Sequence, residues 1–282
     1  MLDFEKAFDS ISWKFLFRTL EAFNFGPVFQ KWVKIIYKNP QCCITNNGFS
    51  STFFPLTRGI RQGCPISALL FLLVAEIMAI NIRNHKEISG ITCNHETLTI
   101  SQLADDTTLF LRDRQSLAAA LTLIAKFGKS SGLKLNKDKC EAFWIGSEID
   151  NASKPCNVKW TNEPVKCLGI ICGTNVEMCH LENFKSRIKK LKSLLNIWSQ
   201  RNMSLKGKVA VLRSIALPQM LYVCSVLYVP EWVIQEVESM MFSFLWSSKK
   251  AHVRKEVVIN EIQNGGLKMP HFGSMVKAIK CT

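Results

Sequence analysis

Leu98-Thr99-Ile100-Ser101-Gln102-Leu103-Ala104-Asp105-Asp106-Thr107-Thr108-Leu109-Phe110-Leu111 reads as two strand-like runs, Leu98 to Ala104 and Thr107 to Leu111, parted only by Asp105-Asp106. β-Branched and apolar residues on either side of two turn formers predict a tight hairpin with both carboxylates at its tip. A third carboxylate, Asp3, lies in the apolar start Met1-Leu2-Asp3-Phe4, which reads as the end of a buried strand.

After that strand, Asp9 or Ser10 can cap a helix whose apolar face is Trp13, Leu16, Phe17, Leu20 and Phe23, and Gly26-Pro27 stops it. A second helix follows with Phe29, Trp32, Val33 and Ile36 inward, then two strands around the Asn46-Asn47-Gly48 turn. Arg58-Gly59-Ile60-Arg61-Gln62-Gly63-Cys64 is a loop with two glycines, and Pro65 sits where the first residue of a long apolar helix belongs. Beyond the hairpin, Asp113 can cap a helix with Leu117, Leu121, Ile124 and Phe127 on one face, closed by Gly128 or Gly132. Cys140 to Ile145 reads as a strand, Ser147 to Trp160 as a polar loop and Val165 to Cys172 as another strand. From Asn183 the period turns helical: Phe184, Ile188, Leu191, Leu194 or Leu195 and Trp198 share one face. Leu205 to Tyr228, kinked near Pro218, and Glu231 to Trp246 continue a separate helical domain, and the last stretch, with Gly265-Gly266 and Pro270, reads as irregular.

At 282 residues and 48% hydrophobic content, the chain is long enough for one large or two medium domains with a buried core. Its formal charge of +14 and pI near 9.4 predict a polyanionic partner, nucleic acid first. The excess is uneven. No acidic residue lies between Asn183 and Pro230, where Lys185, Arg187, Lys189, Lys190, Lys192, Arg201, Lys206, Lys208 and Arg213 all fall. A solvated helix face is the plainer reading of that stretch.

Eleven cysteines, with no C-x-x-C pair and no recognisable signal peptide before them, are expected to stay reduced in a nuclear or cytoplasmic protein. Cys167, Cys172, Cys179 and His180 match no finger or knuckle spacing, which weighs against zinc. The apolar runs Ile66 to Ile80 and Val209 to Val229 read as buried helices, because the first carries Glu76 and the second Arg213, Pro218 and Gln219. A membrane span would need ~20 uninterrupted apolar residues, so no membrane is expected as a partner.

Carboxylates at strand ends suit hard divalent cations. Phosphoryl transfer to a 3′-hydroxyl uses two such ions roughly 4 Å apart, one lowering the pKa of the attacking hydroxyl and one holding the triphosphate. Magnesium keeps several waters, so two or three aspartates suffice, and Asp3 with Asp105-Asp106 qualifies if the strands lie side by side. Spacing alone does not join them. An Asp-Asp turn is also common hairpin chemistry, and Asp3 can equally cap a helix.

Asp3-Phe4-Glu5-Lys6-Ala7-Phe8-Asp9 is similar to the first catalytic motif of LINE-type (non-LTR) retrotransposon reverse transcriptases, and Arg58 to Ser67 (RGIRQGCPIS) to the second. Leu103-Ala104-Asp105-Asp106 resembles the third, Ser131-Gly132-Leu133-Lys134-Leu135-Asn136 through Lys139 and Glu141 the fourth, and Lys166-Cys167-Leu168-Gly169 the fifth. The five occur in the family's order, which is far more specific than a lone Ala-Asp-Asp. The resemblance implies an RNA-directed DNA polymerase, a nucleotidyltransferase of α+β fold. Its palm would be an antiparallel sheet packed on helices, followed by an all-helical thumb. The expected divisions are the palm over 1–146, a connecting loop and primer-grip hairpin over 147–175, the thumb over 176–250 and an irregular tail over 251–282.

The same resemblance implies residue roles. Asp3, Asp105 and Asp106 would hold two magnesium ions, or manganese in their place, the Phe4 carbonyl assisting while Asp9 caps a helix. Phe4, Ala7, Phe8, Arg61, Gln62 and Gly63 would meet the incoming nucleotide. Phe8 would sit under the sugar and reject a 2′-hydroxyl, unless it is an ordinary core aromatic. Arg58 or Arg61 would reach phosphate oxygens or only a surface partner. Lys139, with Lys137 as a nearby competitor, would protonate the leaving pyrophosphate. Cys167, Leu168 and Gly169 would form the primer grip, although the family more often has an aromatic residue at the Cys167 position. Ser204-Leu205-Lys206-Gly207-Lys208 and Gly265-Gly266-Leu267-Lys268-Met269-Pro270 resemble thumb elements. Lys185, Lys189, Lys190, Lys192, Lys206 and Lys208 would therefore follow the phosphates of an RNA–DNA hybrid. The implied partners are an RNA template, a DNA primer, their hybrid and dNTPs.

The first motif begins two residues after Met1. The fingers that precede it in the family, an endonuclease and a Cys/His knuckle after the thumb are thus expected to be absent. A palm without fingers loses positioning and charge neutralisation, so weak or no polymerase activity is expected from this chain alone. The other readings are a catalytically inactive retrotransposon remnant that only binds RNA, and an intron maturase or RNA-templated RNA polymerase. Phe8 argues against RNA synthesis, and the fourth and fifth motifs argue against a maturase.

Overall fold

Leu70, Phe71, Val74, Ala75, Met78, Ala79 and Ile82 recur at intervals of three and four along helix Ser67–Arg83, so one face is apolar from end to end and buried. In the computed structural model, which describes residues 1–145, 158–247 and 253–281, this helix is the spine of the first of two units, 1–162 and 163–282. Helices Trp13–Ala22 and Arg114–Ser131 pack on it through Leu16, Leu20, Ala120, Ile124 and Phe127. Each of the buried leucine, isoleucine and phenylalanine side chains contributes roughly 1.5–3 kcal/mol of hydrophobic free energy.

The opening strand lies between two neighbours. Leu2 donates to the Thr107 carbonyl at 2.8 Å on one side, while Glu5 donates to Lys134 and Met1 to Glu141 on the other, at 2.8 and 2.7 Å. Thr107 belongs to the hairpin Ile100–Leu103/Asp106–Leu109, in which Leu103 pairs Asp106. The two turn residues are therefore Ala104 and Asp105, not Asp105-Asp106, because Ala104 takes the positive φ of 53° that a two-residue turn needs. Leu98 pairs instead in the hairpin Ile91–Cys93/Glu96–Leu98, so the run Leu98 to Ala104 is broken at Thr99. The expected Asn47-Gly48 turn is present, with φ of 48° and 83°, between Thr45–Asn46 and Phe49–Ser50. Among the described residues every ladder has two strands, and single bridges at Leu2–Thr107, Phe4–Leu135 and Gly90–Leu111 join the pieces.

Several local expectations are corrected. Neither Asp9 nor Ser10 caps a long helix. Both lie in the short helix Ala7–Ser10, and Ser12 precedes Trp13–Ala22 without a side-chain cap. Gly26-Pro27 opens helix Pro27–Ile36, where only Val33 is buried and Trp32, at 63% exposed, faces solvent with Ile36. Helix Ser67–Arg83 starts two residues after Pro65, which lies in a turn closed by the Ser67 amide on the Cys64 carbonyl. Asp113 does cap Arg114–Ser131, accepting from the Ser116 amide at 2.8 Å, and Gly132 with φ of 90° ends that helix. Lys159–Trp160, read as loop, pairs in parallel with Glu141–Ala142, whereas the rest of the loop assigned to Ser147 to Trp160 lies mostly outside the described residues.

In the second unit, Val165 to Cys172 is a hairpin rather than one strand: Leu168 and Gly169, with φ of 48° and 83°, turn Val165–Cys167 back onto Ile170–Cys172. Helix Val176–Ser199 buries Phe184, Ile188, Leu191 and Leu195, the expected face, and is capped by Asn175. Leu205–Val211, a π-turn over Leu212–Ala216 and Pro218–Val226 follow, with a 42° bend between Leu205–Ala216 and Pro218–Val226. Their Val209, Leu212, Ala216, Met220, Val223 and Cys224 lie in the core with Val233, Val237 and Met241 of helix Glu231–Leu245. No single described helix is long and apolar enough to cross a membrane.

The C-terminal stretch is not irregular. Short helix Lys255–Ile259 and helix Phe272–Lys280 bury Val258, Phe272 and Val276 in the same core, so 253–281 belongs to the helical unit. The glycines and Pro270 hid the short amphipathic period behind them.

Candidate active site

The Leu2–Thr107 bridge decides where Asp3 goes. In an antiparallel ladder the residue after Leu2 comes opposite the residue before Thr107, so Asp3 falls across from Asp106, one position from the Asp105 turn. Asp3 is fixed through its backbone on the other side as well: its carbonyl accepts from the Asn136 amide at 2.9 Å and its amide meets Cys140 Sγ at 3.4 Å. Burial pushes the Cys140 thiol up, so it stays a neutral support for a carboxylate residue.

Asp105 and Asp106 are exposed, Asp3 is half-buried, and none of the three makes a salt bridge among the described residues. Oxygen-only, unneutralised donors are the chemistry a hard divalent cation takes. No group of three or more His, Cys, Asp or Glu side chains is gathered closely enough to hold a metal among the described residues. The fit thus lies in donor type and strand register, not in a preformed ligand cage.

Phe8 stacks on the buried ring of Phe71, with centroids 4.4 Å apart and planes 17° from parallel. Phe8 is half-buried, and Phe4 and Ala7 are buried. The glycine loop is tied to the same stretch: Ile60 donates to Phe8 at 2.7 Å, Gly59 to Ile11 at 2.8 Å, and the Trp13 indole to Gly59 at 2.8 Å. A Cβ on Gly59, whose φ is 95°, would lie 2.8 Å from the Asp9 carbonyl. The glycine required for close approach is therefore Gly59. Gly63, with φ of 82°, has open space around it, and Arg58, Arg61 and Gln62 are exposed beside it. In this loop the Ile66 amide, aimed at the Cys64 thiol, holds that thiol below its ordinary range. Lys139 and Lys137 are both exposed, and the Lys139 amide bonds to Asn136, the residue that holds Asp3.

A family model described as reverse transcriptase (RNA-dependent DNA polymerase) matches residues 1–172. The chain belongs to the reverse transcriptase family. It is 26% identical over 254 residues to the transposon TX1 uncharacterized 149 kDa protein of Xenopus laevis, covering 88% of this chain and 19% of that protein. It is 34% identical over 145 residues to the Pol polyprotein from type-2 retrotransposable element R2DM of Drosophila melanogaster, covering 51% of this chain and 13% of that one. These relatives agree with the LINE-type resemblance of the motifs. The chain thus spans about a fifth or less of their lengths. A telomerase from Candida albicans, solved with a fragment of telomeric RNA, aligns at 15% identity and a TM-score of 0.46, over 99% of this chain and 46% of its own.

In the second unit, the Cys167-Leu168-Gly169 turn is braced by helix residues that the sequence did not announce. Tyr222 donates its hydroxyl to the Leu168 carbonyl at 2.5 Å, and Arg187 reaches the Gly169 carbonyl at 3.3 Å. Lys185, Lys189, Lys190, Lys192 and Lys206 are exposed. Lys208 is not available to a partner. It is buried at 6% exposure, and its ammonium donates to the Leu245 carbonyl and the Ser247 hydroxyl over the Phe244 ring. Helical phase explains the correction, because Lys208 lies beside Val209 and one turn before Leu212 on the buried side. Cys140, Asn136 and Gly59 were likewise missed as supports, for their contributions are a thiol contact and backbone contacts that no spacing reveals.

Proposed function

We propose that the chain is the palm-and-thumb core of an RNA-directed DNA polymerase that adds dNTPs to a primer 3′-hydroxyl. The observation that carries this reading is the Leu2–Thr107 hydrogen bond, which seats the Asp3 strand against the Asp105-Asp106 hairpin within the segment matching the family. Asp3, Asp105 and Asp106 would hold two divalent ions. When bound, magnesium lowers the pKa of the attacking hydroxyl and neutralises charge developing on the triphosphate.

The protein's own groups do the rest. Phe8, propped by Phe71, presents an aromatic edge to the sugar and disfavours a 2′-hydroxyl. The loop carrying Arg61, Gln62 and Gly63 positions the nucleotide, and Lys139 donates a proton to the leaving pyrophosphate. The braced turn at Cys167, Leu168 and Gly169 orients the primer end, while Lys185, Lys189, Lys190, Lys192 and Lys206 follow phosphates of the RNA–DNA hybrid. The setting would be nuclear or cytoplasmic.

Extension of a DNA primer on an RNA template with magnesium, or with manganese, tests the reading, with Asp105→Asn as control. Nucleotide addition that the control abolishes supports it. RNA binding with no addition under either metal would instead favour the remnant reading.

A further inference from the structure

From Ala22 to Ala75 the chain contains no Asp or Glu, yet carries Lys31, Lys34, Lys38, Arg58 and Arg61. Three of these share a place in the fold. Lys31, Lys34 and Lys38 line a shallow groove of about 400 Å³ along helix Pro27–Ile36, together with Pro27, Gln30 and Ile35. All three lysines are exposed and none has a carboxylate partner among the described residues. Lys34 lies 5.6 Å from the centre of the Phe17 ring, which restrains its stem. On the adjoining face of the same helix Trp32 stands 63% exposed and Val28 69%. A helix that buries Val33 alone has no packing reason to carry an outward tryptophan.

We propose that this helix face is a second nucleic-acid surface, separate from the lysines of the second unit, and that it takes single-stranded RNA. Lys31 and Lys34, three residues apart on one helix face, with Lys38 just past the helix end on the same groove, can track phosphates. The exposed Trp32 ring, on the adjoining face of the same helix, offers a stacking platform, which serves unpaired bases and not bases inside a duplex. A protein-docking stripe would gain from mixed charges at its rim. No carboxylate is among the residues that line this groove, which favours a polyanion instead. The surface does not depend on the metal site, so its test reads binding and not nucleotide addition.

The experiment is a salt titration of affinity for a short unstructured RNA, using the whole chain and a Lys31→Gln, Lys34→Gln, Lys38→Gln triple variant. Losing three phosphate contacts should lower the steepness of log affinity against log salt by about 2. Trp32→Ala should weaken binding at least about fivefold while leaving the slope unchanged. A control triple, Lys86→Gln, Lys126→Gln, Lys129→Gln, removes the same charge from elsewhere in the first unit. Circular dichroism should show all variants folded, since every altered side chain is exposed. A control triple that matches the groove triple in slope and affinity would overturn the proposal, as would unchanged RNA binding in the groove variants.

Discussion

The amide of Leu2 and the carbonyl of Thr107 meet at 2.8 Å, and this one bond sets the register between the strand carrying Asp3 and the hairpin carrying Asp105 and Asp106. Because the carboxylates themselves make no ion pairs among the described residues, their chemistry separates cleanly from their structural support.

Asp3→Asn and Asp105→Asn should each cut primer extension by about a hundredfold or more, the scale of losing one electrostatic stabiliser of a transition state. Thermal unfolding should move little, because the exchange keeps shape and breaks no intramolecular partner. A large loss of stability would show that the carboxylates are structural.

Gly59→Ala and Gly63→Ala make a matched pair. Both positions have positive φ, so each variant carries about 1 kcal/mol of backbone strain. Gly59→Ala adds a collision with the Asp9 carbonyl and should cost about 2 kcal/mol or more. Urea unfolding of the two should differ in that order. Equal losses would mean that the Gly59 approach is relieved by movement of the turn before Ile11.

Lys208→Met should lower the stability of the second unit by about 1–3 kcal/mol, since the Leu245 carbonyl and Ser247 hydroxyl lose a charged donor. It should leave the salt dependence of hybrid binding alone. Neutralising Lys189, Lys190 and Lys192 should do the reverse, flattening that dependence by about 2 to 3 without changing the melting curve.

Glu238 gives the second unit a pH dependence. Burial alone would raise its carboxyl, but the hydrogen bonds from Lys255 and the Gly273 amide, with the nearby charges of Lys255 and His271, outweigh burial and hold it below its usual range. A carboxyl that titrates lower when folded adds stability above its unfolded pKa, and that stability is lost as pH falls through the folded pKa. Glu238→Gln should therefore weaken the unit near neutral pH by about 1–3 kcal/mol, and the difference should close in acid below the ordinary glutamate pKa of about 4.3. A gap that persists unchanged in strong acid would assign the effect to packing.

Features encoded in a few adjacent residues were legible in the sequence. The Asn47-Gly48 turn, the Asp113 cap, the Gly132 stop and the buried face from Phe184 to Leu195 all follow from local backbone preference or period. Trp32 and Ile36 were misplaced because an apolar residue on a helix gives no sign of which face lacks a neighbour. The carboxylates stood out as residue types, whereas the bonds seating them, from the backbone of Thr107 and Asn136 and the thiol of Cys140, are long-range contacts with no sequence signature. The Leu168-Gly169 turn, resembling a known motif, was found, but its brace from Tyr222 depends on helical phase.

That phase comes from the π-turn at Leu212–Ala216. A π-turn accommodates one residue more than a regular helical turn, which rotates everything after it by about 100° relative to a continuous α-helix. The surplus residue thus acts as an indexing step: it keeps Met220, Val223 and Cys224 pointing into the core while swinging the Tyr222 hydroxyl round to Leu168. Removing a single residue there, for example Ile215, would turn that phenol away from the Leu168-Gly169 turn it now steadies, so the length of this segment, more than its composition, sets how that turn is held.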